Sequence, residues 1–445
     1  MNTLKTSLRN LLYYPSAIIG MLVVFLLIFT AVYAMVKIPY NEAIRLWRGG
    51  EDVWYQNPKF APPAWINFFS SKKYAESFAV RTSDGTLPKE VTPGAEGTAT
   101  IEASYTFDFV SDYYPQDLLL YFTSSYQEKQ PFISAEWLTP DGRTIRIVNL
   151  ALNKKYTYRF SQDEKLKTKL RTQDVLSHIF SDPETGELLK GQYQLSLIGT
   201  TFEPDSDINV EFVFHGQVFG LAGTDHARRD LVVPLLWGAP VALAFGLIAS
   251  LGTAILTMII SALGSWYGSW VDELIQRITE VNLVLPFLSI LIMVGTFYSR
   301  SIWVILGATI LLSIFTGSIK GYRSIFVQLK ESMYIEAARA YGASGPRIVF
   351  LYLIPRMIPL LIPGLVLSVP AFVFLEAGLA VLGLGDPVLP TWGKMIDDAN
   401  RNGALYRGYY YWILEPTTLL MATGLGFAML GFALDRVFNP KLRDL

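Results

Sequence analysis

The sequence contains no cysteine among its 445 residues, which excludes disulfide bonds and thiolate metal sites. Histidine is also rare, and His178, His215 and His226 are scattered without the spacing of metal ligands. Charged residues make up only 17% of the chain, whereas hydrophobic residues make up 51%. This composition is typical of a membrane protein, and no basic patch interleaved with aromatic residues indicates nucleic-acid binding.

The sequence also lacks a phosphate-binding loop of the form Gly-x-x-x-x-Gly-Lys-Ser/Thr. The nearest approach is Trp392-Gly393-Lys394-Met395, which has methionine where such a loop needs a hydroxyl group to bind Mg²⁺. We therefore expect that this chain binds no nucleotide and no other cofactor itself.

About six apolar runs are long enough to cross a hydrocarbon core of about 30 Å. They lie near residues 16–36, 239–263, 281–298, 301–319, 357–383 and 413–434. The first run ends in Ala-Val-Tyr-Ala, which has the form of a signal-peptidase site, but the run is longer than the apolar part of a usual signal peptide. We therefore expect an uncleaved anchor and a mainly α-helical polytopic protein embedded in the lipid bilayer.

Lysine and arginine concentrate in the segments that about six spans would place on one side of the membrane. These residues are Lys5, Arg9, Lys320, Arg323, Lys330, Arg339, Arg347, Arg356, Arg436, Lys441 and Arg443. Because basic residues in short loops remain on the cytoplasmic side, we expect both termini and the loop 320–356 to be cytoplasmic.

The same orientation places the region from about 37 to 230 outside the cytoplasm, and this region is polar, acidic and rich in Tyr, Phe, Thr and Ser. Alternating polar and apolar residues predict strands at 98–109, 132–138, 191–202 and 208–219. A turn signal, Thr-Pro-Asp-Gly, follows the second of these strands. We expect an extracytoplasmic β-sandwich with a helical stretch around 162–180.

The basic loop contains a run of small residues. Glu336, Ala337 and Ala338 precede Gly342 on a predicted short helix, and a Gly-Pro turn then leads to Pro355. Small side chains and a glycine let another protein approach closely. The spacing resembles the EAA coupling loop of ABC importer permeases, which reads EAA, three residues, Gly, nine residues, then Ile-x-Leu-Pro. Two apolar positions of that tail differ in identity here but not in character.

A second segment carries the resemblance further. Gly223, Thr224 and Asp225, followed by Arg229 and Asp230, look like the GTDxxGRD segment of dipeptide and oligopeptide ABC permeases. The glycine of that segment is replaced by Arg228 here. We therefore expect any tight turn that the glycine allows to be made differently in this chain.

Further motifs of these permeases follow in the same order and cover about half of the chain. They comprise Tyr267-Gly268-x-Trp270-x-Asp272 with Arg277, Glu280 and Pro286, then Glu376-Ala377-Gly378, Leu382-Gly383-Leu384-Gly385, Pro390-Thr391-Trp392-Gly393 and Asn439-Pro440-Lys441-Leu442-Arg443. The last has Asn where the family has Asp. The chain thus resembles the second, C-type permease of the binding-protein-dependent importers.

The resemblance implies the type I ABC importer fold in a prokaryotic cytoplasmic membrane. It implies a second permease subunit, two cytoplasmic ATPases that bind ATP and Mg²⁺, and an extracytoplasmic substrate-binding protein. This chain would be a permease and not an enzyme, with peptides as the default substrate. Relatives of the same architecture carry nickel chelates or oligosaccharides, so these substrates remain open.

The predicted organisation has three parts. Residues 1–36 form a tail and the first transmembrane helix, 37–222 the extracytoplasmic β-rich domain, and 223–445 the permease core with five further transmembrane helices. The family usually has a much shorter connection in place of the β-rich domain. This domain is therefore expected either to dock a binding protein or to serve as a rigid spacer.

The resemblance also suggests roles for individual residues. Glu336 would orient or cap the loop helix, and Gly342 would permit close approach of an ATPase. Arg339 or Arg347 would pair with acidic residues of that partner. Glu376 is the ionisable residue deepest in a predicted span, where a charge costs about 2.5–3.5 kcal/mol. It would either line the translocation path or pack against a neighbouring helix.

Three other classes of protein fit the sequence less well. A membrane-anchored receptor or assembly protein with a ligand-binding ectodomain would need only one span and would give the loop no purpose. A secondary transporter would show inverted repeats and several acids within its spans. An intramembrane hydrolase is indicated only by a Gly-x-Ser-Gly match at Ser344, which lies in the loop, and no histidine lies within a predicted span.

Overall fold

The computed structural model describes residues 14–438, and the chain divides into two compact units. One unit is helical and comprises the residues before Gly49 together with those from Val233 onward. The other unit, Gly49–Val232, is rich in β-strands. The basic residues Lys5, Arg9, Lys441 and Arg443, and the motif that begins at Asn439, lie outside the described residues.

The helices follow the apolar and amphipathic runs of the sequence. In chain order they are α1 (Pro15–Lys37), α2 (Tyr40–Arg48), α3 (Glu164–Leu170), α4 (Val175–Ile179), α5 (Val232–Tyr267), α6 (Ser269–Val284), α7 (Phe287–Phe297), α8 (Ile302–Ile314), α9 (Gly317–Lys330), α10 (Met333–Ala340), α11 (Gly345–Ile348), α12 (Ile354–Leu379), α13 (Trp392–Arg401), α14 (Ala404–Arg407) and α15 (Tyr411–Phe438). Short π-helical turns at Val349–Leu353 and Ala380–Leu384 flank α12.

Four helical segments are long and apolar enough to cross a membrane. They are Pro15–Lys37, Val232–Tyr267, Gly345–Leu384 and Tyr411–Phe438. Two bent helix pairs, α6 with α7 and α8 with α9, would each supply one more span. By length and composition, the described residues therefore contain four candidate spans, or up to six if each bent pair counts as one.

The sequence predicts a span near 281–298, and the structure interrupts it. Helix α6 ends at Val284, α7 begins at Phe287, and the two are bent by 80°. The cause is Pro286, because proline has no N–H to donate and disfavours helical geometry at the residue before it. Leu285 accordingly has the extended angles φ −66° and ψ 136°.

Close helix packing in the helical unit occurs where small residues meet. Helices α1 and α15 cross at Gly20 and Gly426. A Cβ atom added at Gly20 would lie 2.8 Å from the Gly426 carbonyl oxygen, so a larger residue there would force the helices apart. Small residues at such crossings let backbones approach within van der Waals distance, which is how helices associate in lipid.

The β-rich unit consists of two antiparallel sheets. The strands are β1 (Phe78–Arg81), β2 (Lys89–Pro93), β3 (Ala99–Phe109), β4 (Asp117–Ser125), β5 (Phe132–Leu138), β6 (Thr144–Ala151), β7 (Lys155–Arg159), β8 (Gly191–Thr201) and β9 (Asp207–His215). One sheet has the order β1-β9-β4-β7 and the other β2-β3-β8-β5-β6. The four strands predicted from alternation are confirmed as β3, β5, β8 and β9, and the predicted helical stretch contains α3 and α4.

An aromatic core fills the space between the two sheets. Trp137, Tyr193 and Phe212 are all fully buried, and the Trp137 ring centroid lies 5.7 Å from that of Tyr193 and 6.3 Å from that of Phe212. The first two belong to the five-stranded sheet and Phe212 to the four-stranded sheet. Burial of such large rings from both sheets holds the unit together.

The face of the four-stranded sheet that points away from the aromatic core makes polar contacts. His215 is buried at the end of β9, where its Nε2 lies 3.0 Å from the Tyr55 carbonyl oxygen and its Nδ1 lies 3.3 Å from Nη1 of Arg228. A carbonyl only accepts and a guanidinium only donates, so Nε2 carries the proton and Nδ1 accepts. Burial, followed by the positive charge of Arg228, lowers the pKa of His215 to about 3.

This arrangement predicts a pH dependence for the β-rich unit. The folded state keeps His215 neutral, whereas the unfolded chain takes up a proton below a pKa of about 6.5. The free energy of unfolding should therefore fall by about 2 kcal/mol between about pH 7 and pH 5 from this residue alone. Hydrogen exchange of the β4 and β9 amides in the full-length protein, corrected for intrinsic exchange, measures this loss.

The control is the His215→Gln variant, whose side chain takes up no proton. Its unfolding free energy should change less over the same pH interval than that of the native protein. An equally steep loss in both proteins would show that His215 is not the group that titrates.

Candidate functional site

The run of small residues in the basic loop forms the short helix α10. One side of this helix is buried through Ile335 and Ala338, which pack with Phe326 and Leu353 in a core of the helical unit. The opposite side is open, and Met333 retains 88% exposure. Because residues three apart lie on one face of a helix, α10 sits on its own unit and presents its other face outward.

Glu336 and Ala337 lie on the exposed side of α10. Glu336 is in the first turn of the helix, where a negative charge interacts favourably with the unpaired N–H groups and the helix dipole. The prediction that Glu336 orients or caps this helix stays a prediction.

Gly342 ends α10 in a left-handed conformation, with φ +75°. Its N–H donates to the Arg339 carbonyl oxygen at 2.9 Å, and the Ala343 N–H donates to the Ala338 carbonyl oxygen at 3.0 Å. This pair of bonds is the Schellman ending of a helix, which favours glycine at this position. The requirement for glycine is thus at least partly local, and a glycine directly after a helix is the sequence signal that indicates it.

The sequence patterns did not indicate Trp266, which lies at the end of α5 and contacts two basic residues of the loop through its ring and its carbonyl oxygen. The guanidinium carbon of Arg339 lies 4.7 Å from the centroid of a Trp266 ring. Lys330 Nζ donates to the carbonyl oxygens of Ser265 at 3.2 Å and Trp266 at 3.0 Å. Arg339 therefore already has an aromatic partner within the chain, whereas Arg347 is exposed on α11.

Two more contacts hold the elements around the loop. Arg323 of α9 forms a two-pronged ion pair with Asp272 of α6, with distances of 2.7 Å from Nε and 2.5 Å from Nη2. Arg356 lies over the Tyr334 ring at 5.3 Å. Pro355, an exposed residue, lies in the first turn of α12, directly after the π-helical turn Val349–Leu353.

The segment Gly223 to Asp230 belongs to the β-rich unit, whereas the loop belongs to the helical unit. Thr224 and Asp225 are fully buried, and the Asp225 carboxylate accepts hydrogen bonds from the backbone N–H groups of Ala227 at 2.8 Å and Arg229 at 2.9 Å. Nε of Arg229 donates to the same carboxylate at 2.5 Å. These residues shape a buried turn.

The expectation for Arg228 is wrong. Arg228 itself adopts φ +65°, so the turn has the left-handed geometry that glycine allows but with an arginine in place. Two hydrogen bonds to a residue distant in the sequence stabilise it. Arg228 Nη1 donates to the Asn57 carbonyl oxygen at 2.6 Å, and Asn57 Nδ2 donates to the Arg228 carbonyl oxygen at 3.0 Å.

Glu376 lies elsewhere in the helical unit, near the end of α12. It is buried, and its carboxylate lies near the Thr391 hydroxyl group. Thr391 in turn caps α13 by accepting the Lys394 N–H at 3.1 Å. The cavity beside Glu376 is only about 10 Å³ and is partly lined by Asp386. Between residues 14 and 438 no group of three or more His, Asp or Glu could hold a metal ion.

Comparison with known proteins gives consistent matches. Residues 254–444 match the family of binding-protein-dependent transport system inner membrane components. The dipeptide transport system permease protein DppC of Alkalihalophilus pseudofirmus is 30% identical over 225 residues, which are 50% of this chain and 72% of that protein. The oligopeptide transport system permease protein OppC of Bacillus subtilis is 29% identical over 226 residues, with the same coverage.

A third relative is the glutathione transport system permease protein GsiD of Pectobacterium atrosepticum, which is 27% identical over 225 residues. These residues are 50% of this chain and 73% of that protein. The family match, the relatives and the long apolar helices agree with one another. This chain therefore belongs to the binding-protein-dependent ABC permeases of the dipeptide and oligopeptide group, as an integral inner-membrane permease subunit of the C type.

Proposed function

We propose that this chain is one of two permease subunits of an ATP-driven importer, and that the pair forms the path for peptides delivered by an extracytoplasmic binding protein. The observation that carries this proposal is helix α10, which exposes one face while its other face is packed on the unit that contains the long apolar helices. The names of the relatives, which include dipeptide, oligopeptide and glutathione permeases, support peptides as the substrate.

The loop would transmit the movement of an ATPase to the spans. The exposed residues Glu336, Ala337 and Gly342 would contact a cytoplasmic ATPase, and Arg347 would pair with its acidic residues. Ile335 and Ala338, on the buried side, would carry the displacement into the core beneath α10. Since Trp266 lies in the last turn of α5 and its ring contacts Arg339, the same displacement would reach α5. Packed elements transmit such shifts as rigid bodies.

ATP and Mg²⁺ would be bound by two partner ATPases, because this chain has no phosphate-binding loop. The loop and both termini would be cytoplasmic, and the β-rich domain, 37–222, would be extracytoplasmic. There it would dock the binding protein or stabilise the assembly. The first span and residues 223–445 would form the permease core, with Gly223, Thr224, Asp225, Arg229 and Asp230 outside the cytoplasm.

For Glu376, contacts within the chain favour the packing role over the translocation path. Its carboxylate is buried beside Thr391, and the adjacent cavity is too small for a peptide. A buried polar group paired in this way links α12 to the start of α13.

Gly342→Trp should uncouple uptake from ATP hydrolysis while the protein remains inserted. The left-handed backbone costs a non-glycine residue about 1–2 kcal/mol, and the indole would also obstruct the exposed face of α10. Uptake of a labelled dipeptide by the assembled importer in proteoliposomes should fall at least about tenfold.

Two controls separate coupling from strain. Gly342→Asn keeps a small residue that tolerates the left-handed region and should retain uptake. Gly186→Trp places the same strain, at φ +70°, on an exposed turn of the β-rich unit and should also retain uptake. Normal uptake by Gly342→Trp would contradict the proposal that this loop couples ATP hydrolysis to uptake.

The absence of cysteine allows the proposed orientation to be tested with single-cysteine variants. Glu184 in the β-rich unit and Tyr341 in the loop are both exposed. In spheroplasts, a membrane-impermeant maleimide should label Glu184→Cys at once and Tyr341→Cys only after permeabilisation. The reverse pattern would show that the orientation is inverted.

Glu376→Gln should retain near-native uptake if the residue serves packing, since the amide has a similar shape and still presents an oxygen to the Thr391 hydroxyl group. Thr391→Val, which removes that hydroxyl group at similar shape, should lower stability by roughly 1 kcal/mol. Thermal unfolding and dipeptide uptake are measured for both variants. Loss of uptake in a stable Glu376→Gln protein would instead favour the translocation path.

A further inference from the structure

A cavity of about 440 Å³ opens on the β-rich unit, within the size range of roughly 300–1,000 Å³ that small-molecule sites occupy. It lies wholly within Gly49–Val232 and thus outside residues 254–444, which match the permease family. Its lining residues are Glu51, Asp52, Tyr55, Tyr121, Thr157, Arg159 and Arg228.

The strand register explains how the floor of this cavity is built. Tyr121 of β4 lies opposite Thr157 of β7, and Leu119 lies opposite Arg159. These residues alternate with Leu120 and Tyr158, which point into the core between the sheets. Side chains at every second position share a face, so Tyr121, Thr157 and Arg159 stand together on the face away from that core.

Arg228 enters the cavity at an energetic cost. Its φ of +65° is unfavourable for a residue with a Cβ atom, and its side chain retains only 8% exposure. Nη1 binds the Asn57 carbonyl oxygen and His215, but no hydrogen bond from Nε or Nη2 is found among the described residues. Nε and Nη2 are not among the buried side-chain atoms without a partner, so they are open to the cavity. Strained backbone is a feature that concentrates at functional sites.

A second guanidinium faces the same space. Arg159 Nε lies 3.4 Å from the Asp117 carboxylate, and the side chain is 31% exposed. Burial lowers the pKa of Arg228, the Glu51 carboxylate opposes this effect, and the positive charge of Arg159 adds to it. The two arginines repel each other, and the Glu51 carboxylate that also lines the cavity offsets part of this repulsion. A carboxylate on a ligand would offset more of it.

The remaining walls limit which anion fits. Tyr55 and Tyr121 form an edge-to-face pair with centroids 4.7 Å apart, which offers an apolar and aromatic surface. Glu51, paired with Lys59, and the exposed Asp52 also line the cavity. These carboxylates disfavour a ligand with several negative charges but suit one with an amino group beside its single carboxylate.

We propose that this cavity binds a small amino-acid-like molecule, such as a short peptide, through its free carboxylate, with the guanidinium groups of Arg228 and Arg159 as partners. The tyrosine pair packs against the apolar part of the ligand. This binding site is formed by residues of the β-rich unit alone. The proposal therefore stands or falls independently of the coupling loop.

The test is isothermal titration calorimetry of the full-length protein in detergent, with the dipeptide Ala-Phe as the probe. Arg228→Gly removes the guanidinium but leaves a residue that accepts φ +65° without strain, so the backbone turn is retained. Binding should weaken at least about tenfold, as expected for loss of a charged hydrogen bond. Thermal unfolding of the same sample verifies that the variant is folded.

The chain offers a matched control. Arg171 is also an arginine at positive φ, +54°, but it is exposed at the end of α3 and is not among the residues that line the cavity. Arg171→Gly should bind Ala-Phe as the native protein does. Arg159→Gln provides a second loss-of-binding variant that does not change the turn, and it too should weaken binding.

Two further probes test the carboxylate. The C-terminal amide of Ala-Phe should bind at least about tenfold more weakly than the free dipeptide, and inorganic phosphate should not compete with it. Any of four results would overturn the proposal. The amide could bind as tightly as the free dipeptide, or phosphate alone could bind. The folded Arg228→Gly and Arg159→Gln variants could keep the native affinity, or the native protein could give no heat of binding.

Discussion

The contact of Trp266 with two cations is the constraint on which the loop of the helical unit depends. The last carbonyl groups of a helix have no partner within it, and Lys330 satisfies two of them while placing positive charge at the negative end of α5. Arg339 lies over the indole from α10. Helices α5, α9 and α10 therefore meet at one side chain, and a shift of α10 must either move α5 or break these contacts. This geometry makes α10 suitable as a lever.

The β-rich unit has a different central constraint, which is the neutral state of His215. Because the ring accepts a hydrogen bond from Arg228 and donates one to the Tyr55 carbonyl oxygen, it must keep a single proton. The ring thereby fixes Arg228 over the outer face of the sheet, although the arginine backbone is strained. Backbone strain and a buried positive charge thus coincide at Arg228, whereas the aromatic core of the unit is conventionally packed.

Patterns of short range were predictable from the sequence. Alternating residues indicated β3, β5, β8 and β9, because a strand with one buried face repeats every second residue. The apolar runs indicated the long helices, and the spacing from Glu336 to Pro355 indicated the loop. The bend at Pro286 was missed, although proline there disfavours a continuous helix. Trp266 and the cavity around Arg228 were missed because their partners are distant in the chain.

The sequence by itself determined the family, the apolar segments and the candidate loop, since motif spacing and hydrophobic periodicity are local properties of the chain. Only the tertiary structure decided what these residues contact. Gly342 serves a helix ending, Arg339 stacks on an indole 73 positions earlier in the chain, and Arg228 adopts a conformation suited to glycine. The physical reason is that burial and ion or ring pairing depend on which distant segments pack together, and no local pattern specifies this.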